Sequence, residues 1–198
     1  MTGQNALLDR RDAVKTLLGD RGDLLVVTGL GGTCWDCTAA GDTPLNFPMW
    51  GGMGGAAMVG LGLSLAQPSR RVLVVTGDGE MLMGIGALAT IATARPTNLA
   101  IAVIDNERYG ETGMQRTHTA AGVDIAGMAT AAGFVQTCTV LNDSALAEFT
   151  HASRSVAGPL LGVIKVATDK VPLVMPPRDG ALLKDRFREA VLGTAATN

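Results

Sequence analysis

Short runs of apolar residues alternate along the chain with longer segments in which apolar residues recur every three or four positions. The short runs predict buried strands at residues 23–28, 72–76, 99–105, 134–140 and 159–166. The longer segments predict helices at residues 7–18, 54–66, 83–94, 124–132, 144–155 and 182–192. A loop is expected from Thr33 to Met49. Strands that alternate with helices indicate an α/β fold with a doubly wound, mostly parallel sheet flanked by helices.

The chain has 198 residues and a net charge of −2, which fits one domain over residues 1–198. The sequence lacks the clusters of basic residues that would indicate a nucleic-acid partner. The longest apolar stretch, Met53 to Ala66, is rich in glycine and too short to cross a bilayer. The amino terminus lacks the pattern of a signal peptide, and three cysteines are too few for a disulfide scaffold. We therefore expect a cytoplasmic protein without a nucleic-acid or membrane partner.

Chemistry-bearing residues stand where two of the predicted strands end. Gly77-Asp78-Gly79-Glu80 follows the strand at 72–76, and Asp105-Asn106 closes the strand at 99–105, about 25 residues later. Because ligands of parallel sheets bind beyond the carboxyl ends of the strands, these side chains offer oxygen ligands side by side. Such hard oxygens suit Mg²⁺, which commonly bridges protein to phosphate oxygens.

This spacing resembles the motif of thiamine diphosphate-dependent enzymes, in which GDG is followed after about 25 residues by NN. Residues 48–57 and 105–115 are most similar to a group of decarboxylases. That group contains the β subunit of sulfopyruvate decarboxylase and the matching half of phosphonopyruvate decarboxylase. The resemblance extends from about Asp23 to Arg188 and implies the thiamine diphosphate-binding fold, in the form of the carboxy-terminal domain that binds the pyrophosphate.

The resemblance also implies a set of metal ligands. Asp78 would give a carboxylate oxygen to Mg²⁺, Asn106 its amide oxygen and Arg108 its backbone carbonyl oxygen. The metal would then hold both phosphates of thiamine diphosphate close to Asp78. The helix that follows, near Glu80 to Gly84, would direct its positive amino end towards the same anion.

Several residues are implied to contact the cofactor directly. Thr33 would lie at the diphosphate, Gly79 would allow its close approach, and Met53 would hold the cofactor in a bent shape. Gly51 would accept a hydrogen bond from the aminopyrimidine through its carbonyl. The full set implied to bind the cofactor is Thr33, Gly51, Met53, Gly77, Asp78, Gly79, Glu80, Asn106, Arg108 and Tyr109.

Glu80 departs from the family pattern, which has a small or hydroxylic residue after GDG. A carboxylate beside a diphosphate is unfavourable unless it points away, pairs with a cation or reaches a metal-bound water. Of these, we expect Glu80 to turn outward or to pair.

Two residues that follow Asn106 and Arg108 in the sequence are candidates for catalysis. Glu111 and His118 could face the thiazolium ring, and His118 could donate a proton because its reference pKa lies near neutral pH. The alternative is that His118 is an ordinary histidine of a polar loop.

A catalytic glutamate of this superfamily lies on a separate pyrimidine-binding domain, and this chain is too short to hold both domains. The resemblance therefore implies a β subunit that joins a partner α subunit, as α₂β₂ or larger. The reaction would be the non-oxidative decarboxylation of a small 2-oxo acid. A carboligase or lyase acting on another 2-oxo acid, or a regulatory cofactor-binding subunit, stays open.

Cys34-Trp35-Asp36-Cys37 invites a redox or zinc interpretation. A zinc site normally needs four ligands and no second such pair exists, so we expect two reduced thiols near the cofactor. A nucleotide-binding Rossmann domain is disfavoured because no GxGxxG follows the first strand.

Overall fold

The computed structural model describes residues 7–193. Its helices are α1 (Arg10–Leu18), α2 (Gly32–Ala39), α3 (Ala56–Ala66), α4 (Asp78–Met83), α5 (Ala87–Ala94), α6 (Ile125–Ala132), α7 (Asp143–Ser155) and α8 (Gly180–Leu192). Its strands are β1 (Leu25–Thr28), β2 (Asn46–Pro48), β3 (Val72–Gly77), β4 (Leu99–Asp105), β5 (Arg108–Tyr109), β6 (Gln115–Arg116), β7 (Gln136–Val140) and β8 (Leu160–Lys165). Two short 3₁₀ helices occupy Gly110–Thr112 and Thr119–Ala121.

Six strands form one parallel sheet in the order β2-β1-β3-β4-β8-β7, and β5 pairs with β6 as a separate antiparallel hairpin. From β1 the chain first moves outward to β2, then returns to the other side of β1 for β3. The direction of winding therefore reverses between β1 and β3, which is where sheets of this type bind ligands. The predicted α/β fold with a doubly wound parallel sheet is confirmed.

The central strands β1, β3, β4 and β8 bury both of their faces. In β3, Val72 and Val74 belong to the core beneath α3, α5 and α6, while Leu73 and Val75 belong to the core beneath α1 and α7. Side chains of a strand alternate between the faces, and both faces carry helices here. This is why the strands appear in the sequence as continuous apolar runs rather than as alternating ones.

The glycine-rich helix α3 packs unusually close to the sheet. A β-carbon on Gly60 would lie 2.2 Å from Cγ2 of Val74, so only glycine fits at this contact. The loss of helix propensity at this position is therefore offset by close packing. Within residues 7–193, no helix has both the length and the apolar character needed to cross a bilayer.

The predicted loop from Thr33 to Met49 is wrong, because this segment contains α2 and β2. Helix α2 is buried all round, from Thr33 to Cys37, and β2 is a three-residue edge strand that pairs with β1. Both elements are too short to produce a recognisable period. Their stability depends on contacts with β1 and α1 rather than on local pattern.

The single helix predicted at 83–94 is also wrong. Helix α4 already begins at Asp78, inside the Gly-Asp-Gly motif, and ends at Met83; α5 begins at Ala87. The break falls at Gly84, where a β-carbon would lie 2.1 Å from the carbonyl oxygen of Gly54. The contact between these two glycines therefore interrupts the helix, and its amino end lies earlier than the sequence indicated.

Candidate active site

A pocket of about 570 Å³ opens at the carboxyl ends of β1, β3 and β4. Its walls come from the β1–α2 turn, the Gly-Asp-Gly motif, the segment from Ile104 to Met114, and the segment from Thr168 to Leu173. Arg10 of α1 completes the lining. Elements distant in sequence therefore meet where the winding of the sheet reverses.

Asp78 is the buried acid of this pocket. Its Oδ2 accepts hydrogen bonds from the hydroxyls of Thr117 (2.5 Å) and Thr119 (2.9 Å). Burial raises the pKa of Asp78 to about 6; the two hydroxyls lower it and the nearby charge of Asp105 raises it further. Both side-chain bonds fall on Oδ2, so Oδ1 is left for another partner. The carboxylate is costly here unless a cation reaches it.

Asp105 supports the pocket rather than facing into it. Its Oδ2 lies 3.0 Å from Nζ of Lys165, and its Oδ1 accepts from the hydroxyl of Thr119 at 2.9 Å. Lys165 also contacts Glu107 at 2.6 Å, and this contact lowers the pKa of Glu107. The aspartate that replaces the first asparagine of the family motif is thus neutralised by a lysine from β8.

Asn106 is held at the pocket by a tight turn. Its Oδ1 accepts from the backbone N–H of Arg108 at 3.0 Å, and Glu107 between them adopts φ of 60°. This turn places Asn106 and Arg108 in the same pocket lining as Asp78. The three residues carry carboxylate, amide and backbone carbonyl oxygens.

This donor set fits Mg²⁺ better than a softer metal. All three groups offer oxygen, which Mg²⁺ prefers, and the set is too small to fill six positions. Within residues 7–193, no group of three or more His, Cys, Asp or Glu side chains could hold a metal ion by itself. Phosphate oxygens and water would have to complete the coordination.

Glycines leave room at the floor of the pocket. A β-carbon on Gly79 would lie 2.3 Å from Cε1 of Tyr109, so the tyrosine ring rests directly on this glycine. On the other side, a β-carbon on Gly31 would lie 3.0 Å from Cγ of Glu111. The space beside Gly79, where the diphosphate was expected to approach closely, is therefore occupied by the ring of Tyr109.

The expected orientation of Glu80 is wrong. Its side chain is buried, and its Oε2 accepts from the hydroxyl of Thr76 (2.8 Å) and from the backbone N–H of Leu30 (3.2 Å). No cation pairs with it within residues 7–193, and burial raises its pKa. Glu80 turns inward under the β1–α2 turn, where a β-carbon on Gly29 would collide with it.

Trp35 connects α2 to the segment that follows Arg108. Its indole Nε1 donates to Oε1 of Glu111 at 3.4 Å, and both residues line the pocket. Thr33 is buried in the same wall, where its hydroxyl donates to the carbonyl of Leu30 at 3.4 Å. The candidate catalytic Glu111 is therefore held at the pocket by a residue of α2.

The thiols of Cys34 and Cys37 are buried, and the two cysteines do not form a disulfide. Burial raises the pKa of both, that of Cys34 to about 11. They are protonated at neutral pH, and Cys37 packs in the core beneath α1. Neither thiol has the lowered pKa that marks a reactive cysteine.

Comparison with known proteins decides the family. The profile described as "Thiamine pyrophosphate enzyme, C-terminal TPP binding domain" matches residues 33–162. The chain belongs to this family. The prediction of a thiamine diphosphate-binding domain is confirmed.

Individual relatives of this thiamine pyrophosphate enzyme are named decarboxylases. The β subunit of sulfopyruvate decarboxylase from Methanothermobacter thermautotrophicus is 33% identical over 94% of this chain and 97% of the relative. Phosphonopyruvate decarboxylase from Streptomyces viridochromogenes is 40% identical over 70% of this chain, which spans only 34% of that protein. The predicted class, a thiamine diphosphate-dependent carboxy-lyase subunit, is confirmed at the level of the family.

Solved structures support the fold. Benzoylformate decarboxylase from Polynucleobacter necessarius superposes with a TM-score of 0.73 over 84% of this chain and 34% of its own, at 18% identity. At that identity the likeness establishes the fold of the thiamine pyrophosphate enzyme and nothing finer.

The pocket of this thiamine pyrophosphate enzyme gathers most of the residues that the sequence indicated. Thr33, Met53, Tyr109 and Glu111 line it together with the motif residues 77–80 and the metal-loop residues Asn106 and Arg108. Gly51 lies instead in a smaller neighbouring depression with Phe47 and Leu183. His118 is exposed and is absent from the pocket lining.

Four residues of the site were missed from the sequence: Thr117, Thr119, Lys165 and Arg10. Lys165 closes β8, which lies beside β4, so the strand order would have brought it to Asp105. The two threonines follow the hairpin β5–β6, which folds them back onto Asp78. Arg10 belongs to α1 and carries no local signal for a place in the pocket.

Proposed function

We propose that the chain is the pyrophosphate-binding β subunit of a thiamine diphosphate- and Mg²⁺-dependent 2-oxo acid decarboxylase. The observation that carries this proposal is the convergence of Asp78, Asn106 and Arg108 in one pocket of a thiamine pyrophosphate enzyme. Sulfopyruvate and phosphonopyruvate are the substrates named for its relatives, so a 2-oxo acid with a second acidic group is the first candidate. A cytoplasmic location belongs to the same proposal.

Each residue has a role that its surroundings support. Oδ1 of Asp78, the amide oxygen of Asn106 and the carbonyl oxygen of Arg108 hold the metal. Thr117 and Thr119 fix Oδ2 of Asp78 and so orient the free oxygen. A metal ion removes the cost of the buried charge and lowers the pKa of Asp78.

Bound thiamine diphosphate would supply the electron sink that loss of CO₂ from a 2-oxo acid requires. Met53 lines the pocket and would contact bound thiamine diphosphate. Glu111, held by Trp35, is the protein's own proton-transferring group at the pocket. A catalytic role for His118 stays a prediction. It requires a second chain that covers this exposed residue.

A partner subunit completes the site. Met53 is 39% exposed and Met83, which packs on Gly54 nearby, is 67% exposed. Such apolar surface beside a pocket is typical of a protein interface. The partner would cover these methionines and contribute the glutamate that activates the pyrimidine, in an α₂β₂ or larger assembly.

Calorimetric titration of thiamine diphosphate in the presence of Mg²⁺ tests this proposal, with and without the partner subunit. The wild-type complex is expected to bind the cofactor, and Asp78→Ala to lose Mg²⁺-dependent binding. The exposed Asp185, whose one ion pair among the described residues is with its neighbour Lys184, gives the control Asp185→Asn. Equal binding by wild type and Asp78→Ala would refute the metal site.

A further inference from the structure

Lys165, the last residue of β8, contacts the two acidic residues on either side of Asn106. Its Nζ lies 3.0 Å from Oδ2 of Asp105 and 2.6 Å from Oε1 of Glu107. The side chain of Asp105 is 3% exposed and that of Lys165 is 19% exposed. Within the described chain, neither of these two residues lines the pocket. The ammonium group therefore acts from behind the pocket wall, on the segment that carries a proposed metal ligand.

Both carboxylate oxygens of Asp105 have a hydrogen-bond donor other than Thr119. Oδ1 accepts from the backbone N–H of Glu107 at 3.1 Å, and Oδ2 accepts from Lys165. The backbone carbonyl of Asp105 accepts from the N–H of Val166 at 3.0 Å, which keeps the ends of β4 and β8 together. Because each oxygen is already paired, this buried carboxylate does not depend on a further donor.

The hydroxyl of Thr119 stands between two buried carboxyl groups. Its Oγ1 lies 2.9 Å from Oδ2 of Asp78 and 2.9 Å from Oδ1 of Asp105. It also lies 2.9 Å from the hydroxyl of Thr117, which is 2.5 Å from the same oxygen of Asp78. A hydroxyl has a single hydrogen to donate, so the two carboxylates compete for it. Because Lys165 already serves Asp105, the hydrogen of Thr119 is left for Asp78.

We propose that Lys165 is a positioning residue of the metal site. It neutralises Asp105 and so leaves the hydroxyl of Thr119 to hold Oδ2 of Asp78, while Oδ1 of Asp78 is kept for the metal. Groups that orient metal ligands in this way commonly contribute tenfold or more to metal affinity. The inference rests on the proposed function, since it takes Asp78 to be a ligand of Mg²⁺.

Loss of Lys165 would leave the carboxylate of Asp105 buried without a cation. A buried anion that loses its partner is costly, so Asp105 would take the hydrogen of Thr119. Oδ2 of Asp78 would then keep the hydroxyl of Thr117 and face the oxygen of Thr119 with no hydrogen between them. The metal-binding carboxylate would lose its fixed orientation, and Mg²⁺ would bind more weakly.

Calorimetric titration of Mg²⁺ into the assembled complex, with thiamine diphosphate in fixed excess, measures metal affinity without turnover. Lys165→Met removes the charge and keeps a long side chain, whereas Lys165→Arg keeps the charge. The matched control is Lys184→Met, because Lys184 is an exposed lysine of α8 that contacts its neighbour Asp185 at 2.9 Å. Thermal melting checks that each variant folds.

Lys165→Met is expected to weaken Mg²⁺ binding about tenfold, whereas Lys165→Arg and Lys184→Met should stay within about threefold of the wild type. Adding Asp105→Asn to Lys165→Met is expected to restore the affinity to within about threefold, because asparagine has no charge to neutralise and its oxygen can still accept from Glu107. A purely structural role of Lys165 predicts no such recovery, since the double variant changes both partners of the contact between β4 and β8.

Thr119 tests the hydroxyl that joins the two carboxyl groups, and its variants leave the ion pair of Lys165 and Asp105 in place. Thr119→Val removes the hydroxyl at nearly constant volume and is expected to weaken Mg²⁺ binding about tenfold, whereas Thr119→Ser keeps the hydroxyl and should stay within about threefold. If Lys165→Met fails to fold, the double variant and the two Thr119 variants decide the question.

Three outcomes would overturn the inference. One is that Lys165→Met binds Mg²⁺ as tightly as the wild type, or more tightly. Another is that the double variant loses as much affinity as Lys165→Met is expected to lose, and the third is that Thr119→Val binds Mg²⁺ as the wild type does.

Asp78→Asn in the same series separates these outcomes from a failure of the proposed function. If Asp78→Asn and the wild type bind Mg²⁺ alike, the metal site itself is refuted and the inference falls with it. A loss in Asp78→Asn without a loss in Lys165→Met refutes the role of Lys165 alone.

Discussion

Asp78 and Glu80 stand two residues apart in the short helix α4, yet their carboxyl groups serve different surroundings. Asp78 accepts hydrogen bonds from two threonines that follow the β5–β6 hairpin, and keeps one oxygen for the pocket. Glu80 accepts from the hydroxyl of Thr76 at the end of β3 and from the backbone N–H of Leu30. Burial raises the pKa of both.

Helix geometry explains the difference. Residues two apart on a helix point to opposite sides, because each residue turns the chain by about 100°. Once α4 begins at Asp78, the aspartate and the glutamate cannot share a face. One carboxyl group therefore faces the metal loop, while the other supports the β1–α2 turn from below. Two residues that are close in sequence therefore have different hydrogen-bond partners.

The largest expected effect separates the two residues by metal binding. Asp78→Asn is expected to weaken Mg²⁺-dependent binding of thiamine diphosphate about a hundredfold or more, because a metal ligand loses its charge. Glu80→Gln is expected to change the affinity less than about threefold, because the amide oxygen can still accept both hydrogen bonds. Calorimetric titration of the assembled enzyme measures both. An equal loss in Glu80→Gln would mean that Glu80 reaches the ligand after all.

The second prediction concerns the structural role of Glu80. Glu80→Ala is expected to lower the free energy of unfolding by about 2–3 kcal/mol, because the hydroxyl of Thr76 and the N–H of Leu30 lose their acceptor. Glu80→Gln retains an acceptor and is expected to cost less than about 1 kcal/mol. Urea unfolding at pH 7 measures the difference. Equal stability of the two variants would show that these hydrogen bonds contribute little.

The third prediction uses the raised pKa of Asp78. Between an unfolded pKa near 3.8 and a folded pKa of about 6, the folded state binds more protons than the unfolded state. This carboxyl group therefore favours folding below pH 4, and its contribution is lost as the pH rises through 6. Relative to wild type, metal-free Asp78→Asn should gain roughly 2 kcal/mol of stability between pH 4 and pH 7.

Urea unfolding at both pH values, with a chelator present, measures this gain. Because Asn carries no charge at either pH, the difference between the two proteins isolates Asp78 from Glu80 and other acids. A difference that does not change with pH would contradict the raised pKa.

The smallest effect is expected at Gly79, which lies between the two carboxyl residues. Gly79→Ala pushes the ring of Tyr109 away from the helix and should weaken cofactor binding about tenfold. The double variant Gly79→Ala with Tyr109→Ala should lose less than the sum of the single changes, because the collision is then relieved. Titrations of the four proteins form the cycle, and strict additivity would show that the ring and the glycine do not interact.

The sheet, and the meeting of Asp78, Asn106 and Arg108 in one pocket, could be predicted from the sequence because both depend on local pattern. Strands such as β4 are continuous apolar runs, and the position of a residue just after a strand is fixed by that strand. The edge strand β2, the break at Gly84 and the inward turn of Glu80 could not, since each depends on a contact with a distant segment. The same holds for Arg10, whose partner Asp36 lies 26 positions away.

The proposed metal ligands Asp78 and Asn106 follow two neighbouring, paired strands. Gly77 lies opposite Ile104 in the parallel register of β3 and β4; Asp78 is the next residue after Gly77, and Asn106 is the second residue after Ile104. Adjacent strands stand about 4.8 Å apart, a spacing that their hydrogen bonds fix. The spacing between β3 and β4 thus fixes the separation of Asp78 and Asn106. Insertions in the surrounding loops can alter which acid is accepted while the two ligands keep their separation.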